Sequence, residues 1–468
     1  MQSQVESRTT QLVALAEHLM AHHTANRVPE FERYWRYYRN LQSPGTSRLG
    51  AAGLAQAEGL PARFKQAAPA GDLPEVAVEN DIAWRVHSMV DFMFGKPVQI
   101  VSTARDEGLR REVERSLDRV WEASGGIALL QDMALLGHVY GHVDLALRWD
   151  LDLLRLGSDT GLRVEVVEPT RGAPILNPSD YRVLDGYVIG LSRTLNQIER
   201  GGPVRWLRGD REHLRRSNML EILTATRRVV VEDGRVSVDE GNPLGRTPIA
   251  HIQNISQPFR YEGLSEVEPL IPLQDELNTR LSDRASRVTM QSFKMYLAKG
   301  IEGAASMRIG PGRVWWTDNP DAAITSFGGD ADSPSEREHI EDVRESMDKV
   351  SGVPPLASGV VRAKIGNLSS ANALRITLMG VLSKTARKRV TYGRGIAQVS
   401  EMALAAMDLA GVLPTEPRDR GVRLVWPDPL PVEDEEEART AKTKLELGVP
   451  SERVLAELGY STNDPGIT

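Results

Sequence analysis

The sequence predicts an α+β fold, with a block of antiparallel strands between two helical regions. Two observations support this prediction. Apolar residues recur at the spacing of amphipathic helices in residues 1–45 and again after residue 263. Between about residues 127 and 260, short alternating runs separated by turn residues are typical of an antiparallel sheet instead.

The composition excludes several classes of protein. The 468 residues include no cysteine, which rules out disulfides and thiolate metal sites and fits a reducing compartment. The formal net charge is -7, so any contact with nucleic acid depends on a local basic patch. Apolar runs stay below the roughly 18 residues of a membrane span. Glu6 lies where a signal peptide is positively charged, and we therefore expect a soluble, cytoplasmic protein.

The N-terminal region is predicted to be helical, with one aromatic face. The aromatic side chains at the i, i+3, i+4, i+7 spacing of one helix face are Phe31, Tyr34, Trp35 and Tyr38. We interpret this face as a packing surface, and a base-stacking platform is the alternative. Residues 46–79 are rich in Gly, Ala and Pro and are predicted to be a linker or loop.

The central strands are predicted from alternation between turn residues. Helices are expected before them, over "ENDIAWRVHSMVDFMFG", "DEGLRREVERSLDRVWEAS" and "IALLQDMALLGHVYG". The predicted strands are "HVDLALRWD", "LRVEVVEP", "YRVLDGYVIGLSRTL", "NMLEILTATRRVVVED", "GRVSVDEGN" and "IAHIQNI".

The C-terminal half is predicted to contain two helices separated by a small insert, and then a long helix. The first helix lies within residues 264–293, and Pro272 restricts its start. Short strands and turns fill 294–330. The second helix, 333–352, opens with a capping-box pattern. The long helix, 371–411, is expected to bend near its two central glycines, Gly393 and Gly395.

The sequence contains no recognisable catalytic signature. The chain has no G-x-x-x-x-G-K-[ST] phosphate loop and no G-x-S-x-G nucleophile elbow. His138 and His142 are four residues apart with Asp144 nearby, but the glutamate of a zinc H-E-x-x-H motif is missing, so we favour a helix end that turns into a strand. Residues 433–437, "EDEEE", are interpreted as the solvated first turn of a helix. We predict no enzyme activity, no metal site and no cofactor.

The strongest physical signal is a contrast of charge. Residues 352–400 contain eight Lys or Arg and no Asp or Glu, and glycines punctuate the front of this stretch. We expect Arg362 and Lys364, with Asn367 beside them, to contact phosphates from a loop; a solvent-exposed face that pairs with acidic neighbours is the alternative. The preceding helix is acidic instead. Its carboxylates include Glu338, Glu341, Asp342 and Glu345.

Such a contrast suits a conduit for nucleic acid. A protein that holds DNA statically gains affinity with every phosphate that it neutralises. A protein that lets DNA slide should keep the attraction local and weak, as an acidic wall beside a small basic loop would.

Five segments in order resemble the portal proteins of tailed double-stranded DNA phages, of the siphophage type. The resemblance spans about residues 28–460. Its segments are "ENDIAWRVHSMVDFMFGKPVQI", "ALLGHVYGHVDLALRWD", "GLSEVEPLIPLQDELNTRLSDRASRV", "SGVPPLASGVVRAKIGNLSSANALRITLMGVLSKTARKR" and "WPDPLPVEDEEEARTAKTKLELGVPSERVLAELGY".

The resemblance implies a portal architecture, with an α/β wing, a two-helix stem, a small α/β clip, a tunnel loop with a long kinked helix, and a short helical crown. The implied divisions are 1–262 for the N-terminal helices and wing, 263–293 for the first stem helix, 294–330 for the clip, 331–352 for the second stem helix, 353–370 for the tunnel loop, 371–425 for the kinked helix and returning wing strand, and 426–468 for the crown.

The resemblance also implies site residues. Arg362, Lys364 and Asn367 would contact DNA from the tunnel loop, and the four carboxylates would line the channel along the stem. The further basic residues would face a neighbouring subunit or packaged DNA; they are Lys384, Arg387, Lys388 and Arg389.

The implied function is that of a ring, usually a dodecamer, at one capsid vertex, through which DNA is packaged and ejected without regard to sequence. Such a ring would nucleate head assembly and would belong to the virion of a phage or prophage, with the host cytoplasm as its site of assembly. Its expected partners are further copies of itself, double-stranded DNA, the terminase large subunit, the scaffold, the major capsid protein and a head-completion or adaptor protein, with no membrane. The alternatives are another phage head protein, such as a scaffold or minor capsid component, and a metal-dependent nuclease.

Overall fold

The structure is a computed structural model, and it describes most of the chain. The described residues are 2–43, 46–65, 75–149, 160–180, 182–195, 215–292, 295–299, 320–321, 323–327, 334–359, 371–430, 434–451 and 454–455. They form two compact units. The first unit comprises Met1–Trp35, Trp84–Glu268 and Gly352–Thr468, and the second comprises Arg36–Ala83 and Pro269–Ser351.

The main core of the first unit lies between helices and a three-stranded antiparallel sheet. The sheet has the order β3-β2-β9, from β2 (His142–Trp149), β3 (Leu162–Val167) and β9 (Ile249–Gln253). A separate antiparallel pair joins β1 (Gln99–Ser102) to β12 (Val422–Val425). The helices that contribute buried apolar residues to this core are α3 (Ala83–Phe94), α4 (Glu107–Ala123), α5 (Gly126–Tyr140) and α9 (Met379–Leu409).

A five-stranded antiparallel sheet follows in the same unit. Its strands, in sheet order, are β4 (Gly172–Leu176), β5 (Leu184–Leu195), β6 (Arg215–Thr224), β7 (Arg227–Glu232) and β8 (Arg235–Gly241). The turn between β7 and β8 places Asp233 and Gly234 at φ values of 48° and 77°, as the tightest hairpins require. Ala16 of α1 (Gln2–Asn26) is fully buried against Val188 and Ile222, so this helix covers one face of the sheet.

The predicted strands are confirmed, with two differences. The predicted strand over residues 218–233 is two strands, β6 and β7, joined by a turn in which Thr224 Oγ1 accepts a hydrogen bond from Arg227 N. Strand β4 was not predicted, because Gly172 and Pro174 depress strand propensity and the segment lies next to turn residues.

The aromatic face of α2 (Val28–Arg39) is a packing surface. Phe31, Tyr34 and Tyr38 are buried, with 1%, 5% and 6% of their surface exposed. Phe31 meets Tyr140 edge to face at 5.5 Å, and Trp35 stacks on the same ring at 5.8 Å. The packing interpretation is therefore confirmed over the base-stacking alternative.

The second unit contains two long helices, α6 (Ile271–Ser292) and α7 (Pro334–Ser351), and the antiparallel pair β10 (Met295–Lys299) and β11 (Ala323–Phe327). Helix α6 begins beside Pro272, as predicted. Buried amides attach the segment before α3 to this helix: Asn278 Oδ1 accepts from Glu79 N at 3.0 Å, and Gln274 Oε1 accepts from Asp81 N at 3.0 Å.

The long helix near the C-terminus differs from its prediction. One helix, α9, continues through Gly393 and Gly395, where we expected a bend. The interruption lies instead at Leu378, between α8 (Ala371–Thr377) and α9. Gly395 is required for packing, because a Cβ there would lie 2.2 Å from Ile252 Cγ1. The C-terminal helix described is α10 (Asp434–Glu446). Within the described segments, no helix combines the length and apolar character needed to span a membrane.

Candidate functional site

Helix α7 carries an exposed acidic face opposite a buried apolar stripe. Ile340, Val343 and Met347 are buried at 3%, 6% and 0% exposure. The other face carries the four predicted carboxylates, which are all exposed: Glu338, Glu341, Asp342 and Glu345. Glu345 pairs with Lys349 at 3.0 Å, whereas the other three form no ion pair with the described residues. The helix therefore presents a face of largely uncompensated negative charge.

The flank of α7 is held by ion pairs to α6. Arg287 pairs with Glu336, and His339 Nε2 lies 3.0 Å from Glu276 Oε1. The His339 hydrogen bond, together with the Arg280 guanidinium, holds the pKa of Glu276 below its usual value. The buried apolar stripe fixes the rotation of α7 about its axis, so the acidic face has a defined direction within this unit.

The predicted loop residues Arg362, Lys364 and Asn367 lie outside the described residues, and their role stays a prediction. The ends of the segment that contains them are described. Val353 on one side and Leu378 and Val381 on the other belong to a single buried cluster with Met89 and Leu430. Gly352 and Gly380 also meet, since a Cβ on Gly380 would lie 3.1 Å from the Gly352 carbonyl oxygen. The described residues on either side of 360–370 therefore meet at one buried cluster of the first unit.

Lys384 and Lys388 do not face outward. Lys388 is 1% exposed and its Nζ lies 2.7 Å from Glu266 Oε1, while Lys384 donates to the other oxygen of that carboxylate at 2.5 Å. The prediction that Lys388 faces a neighbouring subunit or DNA is wrong, and Lys384 is likewise directed to Glu266. Helical spacing could have indicated this, because Val381, Thr385 and Tyr392, all buried, share a face with Lys388.

Burial and neighbouring charges shift the pKa values of Glu266, Lys388 and His138. Burial opposes the charge on Glu266, but the two ammonium groups prevail and lower its pKa to about 2. Burial, with the neighbouring Lys384, lowers the pKa of Lys388 to about 8. His138 is fully buried beside them, and burial holds its pKa well below the usual value, so this ring is neutral.

The remaining two basic residues of the predicted set differ from each other. Arg389 is half-buried. Its guanidinium lies 5.1 Å from the Trp426 ring centroid and donates to the Phe92 carbonyl at 3.3 Å, so it contacts its own chain. Arg387 is exposed. Its contact with a neighbouring subunit or with DNA stays a prediction.

The histidines of "GHVYGHVD" belong to a structural network. Asp144 is fully buried and accepts hydrogen bonds from Tyr187 at 2.6 Å and Tyr261 at 2.7 Å, and His251 Nδ1 lies 2.7 Å from it. His142 is buried next to it, and burial lowers its pKa to about 4. Among the described residues, no group of three or more His, Asp or Glu is arranged to hold a metal ion.

Comparison with known proteins decides the family. A family model described as phage portal protein, SPP1 Gp6-like, matches residues 18–465. The chain belongs to the phage portal protein family. This confirms the resemblance found in the sequence, and it places the protein among structural components of the capsid. No match to a curated protein is found.

Three solved structures are similar to this portal protein. The neck of a native gene transfer agent particle, computed with C12 symmetry, is 14% identical over 81% of this chain and 90% of that chain, with a TM-score of 0.43. The virion of a native gene transfer agent particle is 13% identical over 87% and 90%, with a TM-score of 0.39. The neck of an empty particle, computed with C6 symmetry, is 14% identical over 90% and 95%, with a TM-score of 0.42. The family assignment therefore rests on the sequence match.

Proposed function

We propose that this portal protein forms a ring of about twelve copies at one capsid vertex, and that double-stranded DNA enters and leaves through its bore. The family match over residues 18–465 carries the proposal. The divisions into wing, stem, clip, tunnel loop and crown belong to the same proposal, with α6 and α7 as the stem.

The acidic face of α7 suits the wall of such a bore. Duplex DNA carries about one negative charge per 1.7 Å of its axis, so a wall of carboxylates repels it. Glu338, Glu341 and Asp342 have no ion-pair partner among the described residues that would cancel this repulsion. Repeated around a ring, the face would keep DNA centred and free to slide.

The segment around Arg362 and Lys364 suits a narrow basic constriction. Its two ends converge on the cluster of Val353, Leu378 and Val381, so a loop would project from a fixed base. Cations on such a loop would contact phosphates without reading bases. The attraction would stay local because α7, which precedes the loop, is acidic.

The partners follow from the same proposal. A ring at the vertex would nucleate head assembly with the scaffold and the major capsid protein, receive the terminase large subunit during packaging, and later hold a head-completion or adaptor protein. Arg387, which is exposed, remains a candidate for contact with a neighbouring copy or with packaged DNA.

The DNA-contact part of the proposal is tested by combining Arg362→Glu with Lys364→Glu. We expect rings of unchanged size by electron microscopy but a loss of DNA packaging, because the constriction would repel the duplex. A matched control reverses Arg105 and Arg115, two exposed arginines on other segments, to glutamate. Full packaging by the loop variant would remove the role assigned to Arg362 and Lys364.

A further inference from the structure

A recessed cavity of about 450 Å³ in the first unit is lined by four arginines from four separate segments. Arg182 precedes β5, Arg246 precedes β9, Arg260 follows β9, and Arg394 lies on α9. The rest of the lining includes His251, Gln253 and Gln398, and none of the described lining residues is Asp or Glu. Sequence spacing could not reveal this cavity, because its lining residues come from segments that are far apart in the sequence.

The charge of the cavity is only partly compensated by its surroundings. Arg182 pairs with Asp180 at 2.9 Å. Arg246 acts at longer range on Glu401, whose pKa burial raises. Arg260 and Arg394 are exposed, and neither guanidinium forms a hydrogen bond or ion pair with the described residues, although the Arg260 carbonyl accepts from Gln253 Nε2 at 2.9 Å. Two free guanidinium groups facing one recess are suited to bidentate binding of carboxylate or phosphate.

The rim of the cavity bears an exposed aromatic residue on strained backbone. Phe259 lies between two lining residues, Pro258 and Arg260, and is 84% exposed. Its φ of 63° is in the left-handed region, which is unfavourable for a bulky side chain. Strain of this kind persists where the surrounding structure imposes it, and it concentrates at binding sites. Exposed aromatic residues next to arginines are also typical of protein interfaces.

A protein segment fits these features better than DNA. A duplex presents its phosphates along a convex rod and would be met by a raised stripe of cations, whereas these arginines surround a recess of limited volume. An aromatic residue projecting beside the recess also adds nothing to backbone contact with a duplex. The expected occupant is therefore an acidic peptide segment with apolar residues nearby.

The chain itself carries such a segment. Residues 433–437, "EDEEE", are five consecutive carboxylates, and four of them open helix α10. Near the end of that helix, Leu445 and Leu447 are 47% and 78% exposed. A closed ring of identical subunits needs two different complementary surfaces on each chain, and a basic recess and an acidic segment meet that requirement.

We propose that the arginine-lined cavity receives the acidic segment 433–437 of a neighbouring copy, with Arg260 and Arg394 holding its carboxylates and Phe259 packing beside it. This inference rests on the proposed ring. It adds the contact that joins one subunit to the next.

A charge-swap experiment tests the contact. Variant A combines Arg260→Glu with Arg394→Glu, and variant B combines Glu435→Arg with Glu436→Arg. Each alone should lose the rings seen by electron microscopy and sediment as smaller species. An equimolar mixture, and a chain that carries all four changes, should form rings again because each acidic cavity then meets a basic segment.

Controls distinguish loss of this contact from loss of the fold and from a change in net charge. The pair Arg105→Glu and Arg115→Glu changes the net charge by the same amount as variant A, outside the cavity, and should leave the rings intact. Thermal unfolding should show that variants A and B remain folded. Rings that persist in variant A would overturn the proposal, as would a failure of the swap to restore them. Intact rings with weaker DNA retention in variant A would assign the cavity to DNA instead.

A failure of the proposed ring can be distinguished from a failure of the cavity assignment. If the wild-type chain stays monomeric, the proposed function fails, and the cavity is then free for direct titration. A labelled peptide of residues 431–441 should bind the wild-type chain and not variant A, and a peptide with glutamine in place of its glutamates should not bind. Absence of binding to the wild-type monomer would overturn the cavity assignment separately.

Discussion

At the scale of single residues, the notable feature is a carboxylate buried between two lysines. Glu266 is 2% exposed, and Lys388 is 1% exposed. A charge in this environment is tolerated only while its partners remain, because desolvation costs several kcal/mol per ion. The sequence showed the excess of cations in this region but not the carboxylate that pairs with them, since Glu266 lies more than a hundred residues away.

We expect Glu266→Gln to destabilise the protein by about 3–5 kcal/mol, since it leaves two ammonium groups without their buried counter-ion. Lys388→Met should cost less, because Glu266 keeps its pair with Lys384 and the methionine would lie beside Met89. Unfolding in denaturant measures both losses. Arg387→Met, at an exposed site, is the control and should stay within about 0.5 kcal/mol of the wild type. Equal losses for all three variants would contradict the role given to Glu266.

The lowered pKa of the Glu266 carboxylate predicts that the free energy of unfolding depends on pH. Its folded pKa of about 2 lies below its ordinary value of 4.5, so its contribution is fully present above pH 4.5 and is lost as pH falls toward 2. The difference in free energy of unfolding between wild type and Glu266→Gln should therefore shrink across that range. Chemical unfolding at a series of acidic pH values measures it, and a difference that stays constant down to pH 2 would show that Glu266 is not held ionised.

At the scale of elements, two glycines in the long helix α9 differ in what their surroundings require. We expected both Gly393 and Gly395 to bend the helix, and the structure has a continuous helix there. Glycine in a helix costs up to about 1 kcal/mol relative to alanine, so its presence needs a reason in packing. Gly395 has such a reason in Ile252, whereas Gly393 meets Trp426 no closer than 3.6 Å.

We expect Gly395→Ala to destabilise the protein by about 1–3 kcal/mol, because the new Cβ would overlap Ile252 in the central core. Gly393→Ala is the matched variant. It lies two residues away on the same helix, and it should be neutral or stabilising by up to about 1 kcal/mol. Thermal unfolding distinguishes the two. Destabilisation of similar size at both positions would favour a backbone role for these glycines.

The sequence predicted the kinds of element well and their contacts poorly. Periodicity identified α6, α7 and the central strands, because amphipathic spacing follows directly from burial on one face. Periodicity predicted the acidic face of α7 for the same reason. It could not give the partners of Lys384 and Lys388, the hydrogen bonds around Asp144, or the cavity at Arg260 and Arg394, since these depend on which distant segments the fold brings together.

At the scale of the whole molecule, the proposed function depends on how charge is arranged around the axis of a ring. The protein is acidic overall, with a formal charge of -7, whereas residues 352–400 contain no Asp or Glu. Part of the basic stretch proved to be internal, around Glu266. The candidates that remain for DNA contact are Arg362, Lys364 and the exposed Arg387, which makes the proposed attraction weaker and more local than the sequence alone indicated.

The most direct test is a reconstruction by electron microscopy of the assembled, purified protein. We expect a closed ring with a central channel, in which Glu338, Glu341 and Asp342 of every copy face the axis and the segment of Arg362 forms its narrowest basic point. A monomer, or a ring in which the acidic face of α7 points away from the axis, would contradict it.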